Sequence, residues 1–284
     1  MRVSVMITTS NRLEQLQRTL QMLGKLEPSP DEILITADGC TDGTTEFLSA
    51  MPNVKLILNQ PAIGSVASRD RMMHEAKGEL VLALDDDSYP EEFDCIARII
   101  PFFEERAELA VLHFPQRTDE YPETLTQTSF TSEEHLTRSF ANSGAVLRRS
   151  TYLQLPGFEP RFYHMYEEPD YGLQCVAAGY DVLFSSVVTI RHHYSGQARD
   201  EVRIHQRHSR NEYWSTVMRC PFPFAVGMLA WRVLSQFRYA CKRGWSWVIR
   251  EPVWWAQAVA GIPYCMRKRK RVSWAGYKRW LRLP

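Results

Sequence analysis

Five consecutive apolar residues, Leu80-Val81-Leu82-Ala83-Leu84, run directly into three aspartates, Asp85-Asp86-Asp87. An apolar run of this length without a polar interruption reads as a strand buried on both faces, which is the habit of a parallel sheet. The aspartates then stand at its carboxyl end, where open α/β sheets bind ligands. Three adjacent carboxylates repel one another and are unfavourable unless they share a cation. Asp oxygens are hard ligands suited to Mg²⁺ or Mn²⁺, and such sites are commonly completed by substrate phosphates. The triplet therefore reads either as a metal and diphosphate site or as a solvated acidic turn.

The flanking pattern supports a sheet with crossover helices. Strands are predicted at 3–8, 32–37, 54–58 and 79–84, and helices at about 13–23, 44–50 and 65–77. Strand and helix alternate in units of roughly 25 residues, the signature of a parallel α/β sheet. Each strand ends in polar residues: Thr9-Ser10-Asn11-Arg12, Asp38-Gly39-Cys40-Thr41-Asp42-Gly43, Asn59-Gln60-Pro61-Ala62-Ile63-Gly64, and Asp85-Asp86-Asp87. Parallel strands share their carboxyl ends, so these four segments are expected along one sheet edge. GxGxxG, GxxxxGK[ST] and GxSxG motifs are absent, which argues against a Rossmann dehydrogenase, a P-loop NTPase and an α/β-hydrolase.

Charge divides the chain. Residues 1–200 hold 17 Lys and Arg against 30 Asp and Glu, a balance of −13, whereas residues 201–284 hold 17 against 3, a balance of +14. All eight tryptophans fall in the basic part, beside the apolar segments 222–231 and 252–266 and the run Arg267-Lys268-Arg269-Lys270-Arg271. Cations flanking short, Trp-rich apolar helices suggest an element lying on an anionic membrane surface. The alternatives are a solvated basic face or a helix pair docked on the rest of the chain. No nucleic-acid-binding motif accompanies the cluster. No apolar stretch reaches the roughly 18–20 residues that span a bilayer. No signal peptide is evident, and six scattered cysteines without a CxxC pair read as reduced core thiols. The expected location is cytoplasmic, peripheral on the inner face of the cell membrane.

The four strand-end segments, in this order, resemble the GT-A-fold glycosyltransferases of family 2. Val5-Met6-Ile7-Thr8-Thr9-Ser10-Asn11-Arg12 resembles the family's opening strand and turn, and Ala37-Asp38-Gly39-Cys40-Thr41-Asp42-Gly43-Thr44 its D-D-G-S-T-D-G-T segment. Gly64, Ala67 and Ser68-Arg69-Asp70 match its N-x-G-x-x-x-A-R-N segment. Asp85-Asp86-Asp87 matches the DxD motif, and Glu167-Glu168-Pro169-Asp170 its E-D-x-D motif. The departures are Ala37 for the first paired aspartate, Asp70 and Arg71 for the usual Asn and Gly, and Gln174 for a frequent arginine.

The resemblance covers residues 1–195. It implies a GT-A, Rossmann-like α/β fold, a mostly parallel sheet flanked by helices, with a helical basic C-terminal appendage. The expected division is a catalytic domain at 1–200, with a nucleotide-sugar half of about 1–115 and an acceptor half of about 116–200, followed by the 201–284 region. It implies inverting transfer of a sugar from a nucleotide-diphospho-sugar to a glycan or lipid-linked acceptor. Thr9, Arg12, Asp38, Arg69, Asp85 and Asp86 would line the donor pocket. Asp87 and His192, with His193 as alternate, would hold Mn²⁺ or Mg²⁺. Glu168 would be the base, with Glu167 and Asp170 as alternates. From the residues alone, the Glu167–Asp170 cluster also fits a helix start, where carboxylates and Pro are favoured. The rival readings are a sugar-nucleotidyltransferase and a non-catalytic sugar- or lipid-binding protein on the same fold. Acceptor choice is expected to rest on loops within 115–165.

Overall fold

The structure is a computed structural model and describes residues 1–119, 125–126, 134–194 and 200–284. The first half alternates strand and helix: β1 Val3–Thr9, α1 Leu13–Leu23, β2 Glu32–Asp38, α2 Thr44–Ser49, β3 Val54–Asn59, α3 Ser65–Glu75 and β4 Leu80–Asp85. The strands and helices predicted for this half match within two residues. Beyond it come β5 Ser88–Pro90, α4 Cys95–Glu105, β6 Leu109–His113, β7 Gln116–Thr118, β8 Leu125–Thr126, β9 Glu134–Leu136, β10 Ala145–Arg148 and α5 Arg149–Gln154. A 3-10 turn at Pro160–Phe162 precedes α6 Glu167–Ala177, β11 Asp181–Ser185 and β12 Ile190–His192. The C-terminal part is helical: α7 Glu201–Arg219, α8 Phe224–Arg243, α9 Trp245–Val248, α10 Glu251–Arg267 and α11 Trp274–Arg282.

The main sheet has eight strands in the order β3-β2-β1-β4-β10-β6-β11-β9. From β3 to β4 the pairing is parallel, while β10 runs antiparallel to both of its neighbours. A smaller sheet, β5-β12-β7-β8, carries β12 to the acidic edge: His192 is registered with Ser88, immediately after the aspartates. Strand alternation builds two cores. Met6, Leu34, Val81 and Ala83 face one side, and Val5, Ile7, Ile35, Leu82 and Leu84 the other. This is the period-two geometry of a strand.

The strand order fixes the site. After β1 the chain moves outward through β2 and β3, then returns to place β4 on the opposite side of β1. The strand order thus reverses at β1 and β4, whose carboxyl ends flank the ligand-binding position of open α/β sheets. Register aligns Thr9 with Ala37, Asp38 with Asn59, and Thr8 with Asp85, so the four polar segments share one edge as predicted.

The basic tail packs against the sheet domain. Trp214, Val217, Met218, Tyr277 and Trp280 belong to the same buried cluster as Met6 and Ala83. Trp280 donates from Nε1 to the Arg138 carbonyl at 2.8 Å. The tryptophans accordingly divide: Trp214, Trp254 and Trp280 are buried, whereas Trp231, Trp245 and Trp274 are exposed. The expectation of core thiols holds for Cys95, Cys175, Cys220 and Cys265; Cys241 is exposed and Cys40 only partly covered, and all six are free.

The deepest link between tail and sheet domain is ionic. Arg219 on α7 forms a two-pronged pair with Asp170 on α6, Nε to Oδ1 at 3.1 Å and Nη2 to Oδ2 at 3.0 Å. Ser215 and Gln174 complete the carboxylate's hydrogen bonds. Both partners of the pair are buried. Removing one partner of such a pair strands the other charge in the interior. Arg219→Met is expected to lose roughly 3–5 kcal/mol of unfolding free energy in urea titration. A loss below about 1 kcal/mol, the range of exposed ion pairs, would show that α7 docks without it.

Candidate active site

The aspartate triplet is neutralised by guanidinium groups. Arg12, just after β1, pairs through Nη2 with Asp87 and through Nε with Asp86 at 3.3 Å. Arg69, buried on α3, pairs through Nη2 with Asp85 and through Nη1 with Glu167 Oε1 at 3.2 Å. The repulsion anticipated from the sequence is met by two arginines that the sequence places in separate motifs. Burial pushes the Asp86 carboxyl up to about 7 against the opposing charge of Arg12. Burial also acts against ionised Asp87, yet His192 and Arg12 outweigh it and hold its carboxyl below the usual range.

His192 joins the same cluster. Its Nε2 lies 3.3 Å from Asp87 Oδ1 and 3.8 Å from Asp85 Oδ2. The Gln116 amide donates to Ser143 Oγ at 2.6 Å, which leaves Gln116 Oε1 to accept from His192 Nδ1 at 3.0 Å. This network places a proton on Nδ1 and points Nε2 between two carboxylates, where it would serve as a ligand atom for a shared cation. One ligand atom each from Asp85, Asp87 and His192 lie within 4.8 Å of one another. Three converging acceptors of oxygen and imidazole type fit a divalent cation of the Mn²⁺ or Mg²⁺ class. His193 stands outside this cluster: its Nδ1 lies 3.1 Å from Asp119 and its Nε2 3.0 Å from the Tyr89 hydroxyl.

A cavity of about 590 Å³ opens over the cluster. Thr9, Arg12, Asp38, Arg69, Asp85 and Asp86 all line it, as do Asp87 and His192. Asp38 is a structural participant as well. Its carboxylate accepts from Ile63 N and Gly64 N at 2.8 Å each and from Asn59 Nδ2 at 3.0 Å. It thereby shapes the turn that leads into α3.

The three acidic residues of α6 part company. Glu167 is buried and engaged by Arg69. Asp170, an alternate base from the sequence, is not in the cavity lining; it holds α6 to α7 through Arg219 and Ser215. Glu168 reaches the cavity, where Asn142 N donates to its Oε1 at 3.5 Å. Desolvation, then the charge of neighbouring Glu167, push the Glu168 carboxyl up to about 8 against the opposing charge of Arg69.

Two contributions were not legible in the sequence. The turn before α6 holds Tyr163, Met165 and Tyr166 at φ of 66°, 75° and 74°. Non-glycine residues rarely occupy this region, and clusters of them mark functional turns. Asn211 on α7 secures the turn, donating from Nδ2 to the carbonyls of Phe162, His164 and Met165 at 3.1, 3.0 and 2.7 Å. Gly64 (φ 96°) lies beneath it, where an added Cβ would stand 2.5 Å from the Tyr163 carbonyl. The second contribution is a cationic wall: Arg203 and Arg207, one turn apart on α7, line the cavity. Neither forms an ion pair among the described residues, and Arg207 lies over the Tyr163 ring at 4.9 Å. No local motif announces either feature. Part of the 115–165 stretch expected to govern acceptor choice, 120–124 and 127–133, lies outside the described residues.

The family model "Glycosyl transferase family 2" matches residues 4–167, from β1 to the first residue of α6. The chain belongs to that family. Its fold is that of GT-A glycosyltransferases, and membership of the family favours the transferase reading over the nucleotidyltransferase and non-catalytic ones. Over 96 residues it is 29% identical to the glycosyltransferase AglE of Haloferax volcanii, a match spanning 32% of each chain. The fold is similar to S. aureus TarS 1–349 (TM-score 0.65, 16% identity, 93% of this chain and 81% of that one). It is also similar to the mannosyltransferase PcManGT of Pyrobaculum calidifontis, solved with GDP-Man and Mn²⁺ (TM-score 0.60, 13% identity, 99% and 85%). GalNAc-T7, solved with UDP, GalNAc and Mn²⁺, gives 0.63 at 15% identity, and this chain spans 48% of its length.

An acid with a raised native pKa binds its proton more tightly folded than unfolded. Its contribution therefore favours the fold below about pH 4, the unfolded value, and is lost as pH rises toward about 8. Glu168→Gln is thus expected to melt higher than wild type at pH 8.5 and at the same temperature near pH 4. A gain of about 1 kcal/mol would appear as roughly 2–4 °C in scanning calorimetry. Equal melting temperatures at pH 8.5 would mean that Glu168 ionises as an ordinary carboxylate.

Proposed function

We propose that this glycosyltransferase moves a sugar from a nucleotide-diphospho-sugar to a hydroxyl of a glycan or lipid-linked acceptor, with inversion, in the synthesis of cell-surface polysaccharide. The observation that carries the reading is a single cavity holding both Glu168, with its carboxyl raised to about 8, and the Asp85-Asp87-His192 cluster. A donor diphosphate needs cations, and a hydroxyl nucleophile needs a base.

Thr9, Arg12, Asp38, Arg69, Asp85 and Asp86 are the proposed donor-pocket residues. Asp85, Asp87 and His192 would hold a divalent cation, which when bound supplies positive charge against the departing nucleoside diphosphate. Arg203 and Arg207 face the same cavity without a carboxylate of their own, so their charge is available to phosphate oxygens. Glu168 is the proposed base, taking the proton of the acceptor hydroxyl as its oxygen attacks the anomeric carbon. A raised pKa makes the ionised form a stronger base, and the Asn142 N–H orients it. The neighbours solved with UDP, UDP-GlcNAc or GDP-Man support a nucleotide-sugar donor.

Glu168→Gln is expected to lower turnover by about 10²–10⁴-fold with nucleotide binding nearly unchanged. Wild-type turnover should climb with pH along a limb near 8, and the variant should lose that limb. Retained turnover would exclude Glu168 as base. Asp87→Ala should abolish the thermal stabilisation that Mn²⁺ adds to a bound nucleoside diphosphate, a shift that follows from binding linkage. Unchanged Mn²⁺ dependence would place the cation elsewhere.

The 201–284 region is proposed as a unit that also seats the enzyme on the inner, cytoplasmic membrane face. Among the described residues no helix is long and apolar enough to cross a membrane. The support is α8, which buries only Ala225 and Ala240 and leaves Val226, Trp231 and Leu234 exposed, together with the +14 charge balance. Anionic lipid attracts each nearby Lys or Arg by roughly 1 kcal/mol. Binding to phosphatidylserine vesicles, partly reversed by salt and wholly by detergent, is expected in flotation assays. Failure to float at low salt would leave α8 to a protein partner.

A further inference from the structure

A second cavity, of about 390 Å³, adjoins the first on the other side of Tyr194 and Ile204, which line both. It is enclosed by α7, α8 and α9, and its wall is aromatic. The His205 ring is stacked on Tyr239 at 5.3 Å and 27°, and Trp247 meets the two rings at 5.5 and 5.9 Å. These rings are fixed. Buried Glu251 takes His205 Nε2 at 2.8 Å through one oxygen and Trp254 Nε1 at 2.8 Å through the other. Arg243 bonds the Tyr239 hydroxyl through Nε and Nη2 at 3.1 and 2.9 Å and lies over both Tyr239 and Trp247.

The polar groups around this wall are few and planar. Glu201 stands 3.9 Å from Arg243, so the charges at that side of the cavity offset one another. Gln236 donates from Nε2 to Glu212 at 2.6 Å, and its Oε1 accepts no hydrogen bond among the described residues. Rigid aromatic faces with a small number of oriented amide, carboxylate and guanidinium groups are what a pyranose requires. Its C–H face lies on a ring, and its hydroxyls meet planar donors and acceptors. A phosphate would find no uncommitted cation here, unlike at Arg203 and Arg207 in the first cavity. A lipid chain would gain nothing from the polar groups.

We infer that this cavity is an acceptor subsite, holding a neutral sugar residue adjacent to the one whose hydroxyl faces Glu168. The acceptor is then an oligosaccharide of at least two units, laid across Ile204 and Tyr194 from one cavity into the other. This rests on the transfer reading above, and it adds that chain length as well as the terminal sugar decides what is glycosylated. Trp247 is the specificity-determining residue, since it presents a ring to the cavity but is outside the donor pocket.

The test uses the full chain and two sets of probes. Saturation-transfer NMR would measure a panel of methyl hexosides and disaccharides (maltose, cellobiose, lactose and mannobiose), and calorimetry would measure UDP and GDP with Mn²⁺. At least one disaccharide should bind more tightly than its methyl monosaccharide. Trp247→Ala should weaken that binding at least tenfold and erase the preference for two units. Trp247→Phe, which keeps a ring, should restore most of it. Nucleotide affinity should be unchanged in both variants, which also verifies that they are folded. Disaccharide binding that survives Trp247→Ala, or a wild type that binds nucleotide but no saccharide of the panel, overturns the subsite. Wild-type failure to bind either nucleotide would instead count against the donor-transfer reading, while Trp247-dependent saccharide binding would still stand.

Discussion

Arg69 is the constraint on which the site depends. Its guanidinium is buried and bridges Asp85, at the tip of β4, to Glu167, at the start of α6. Without that bridge two carboxylates from distant parts of the chain would face each other in a low-dielectric crevice, where like charges raise each other's pKa and oppose ionisation. With it, the tip of β4 and the segment carrying Glu168 are held at one separation. Arg12 acts in parallel on Asp86 and Asp87. The net effect holds the Asp87 carboxyl below the usual range, while Glu168, without an ion-pair partner of its own among the described residues, is pushed up to about 8. A set of acids with different environments is what divides metal binding from proton transfer.

The parts written in local periodicity were legible before the structure. β1 to β4, their helices and the gathering of four polar turns on one edge follow from apolar runs and turn residues, because those signals act over a few residues. What governed the acidic cluster was not local. Arg12 and Arg69 read as nucleotide-pocket residues in the sequence and line the cavity, but their carboxylate partners lie 75 and 16 positions away. Spacing gives no hint that they are the shared cations the triplet needed. Likewise Asp170 and Glu168 look interchangeable in Glu-Glu-Pro-Asp. Helix geometry separates them: residues two apart on a helix face different directions, so one meets the cavity and the other meets α7.

The tail shows the same limit in a stronger form. Charge and tryptophan content marked it as distinct, yet half of its character is structural. Gln174 stands where the family resemblance implies an arginine, and Arg219, arriving from α7, supplies a guanidinium to the Asp170 that Gln174 also bonds. Composition cannot tell a buried tryptophan such as Trp254 from an exposed one such as Trp245, since both sit in apolar, cationic surroundings along the chain.

Helix α7 consequently serves three surfaces at once. Arg219 and Ser215 fasten it to α6, and Asn211 fixes the left-handed turn that aims Glu168. Arg203 and Arg207 close the first cavity, and Ile204 and His205 wall the second. Its neighbour α8 supplies Tyr239 to the aromatic cavity and presents its exposed apolar residues outward. Whatever α8 rests on is thus connected through one rigid helix to the turn before Glu168. On the proposed subsite, an acceptor carried on that surface would reach the aromatic cavity first and Glu168 second, and the order of the two cavities along α7 would set acceptor choice.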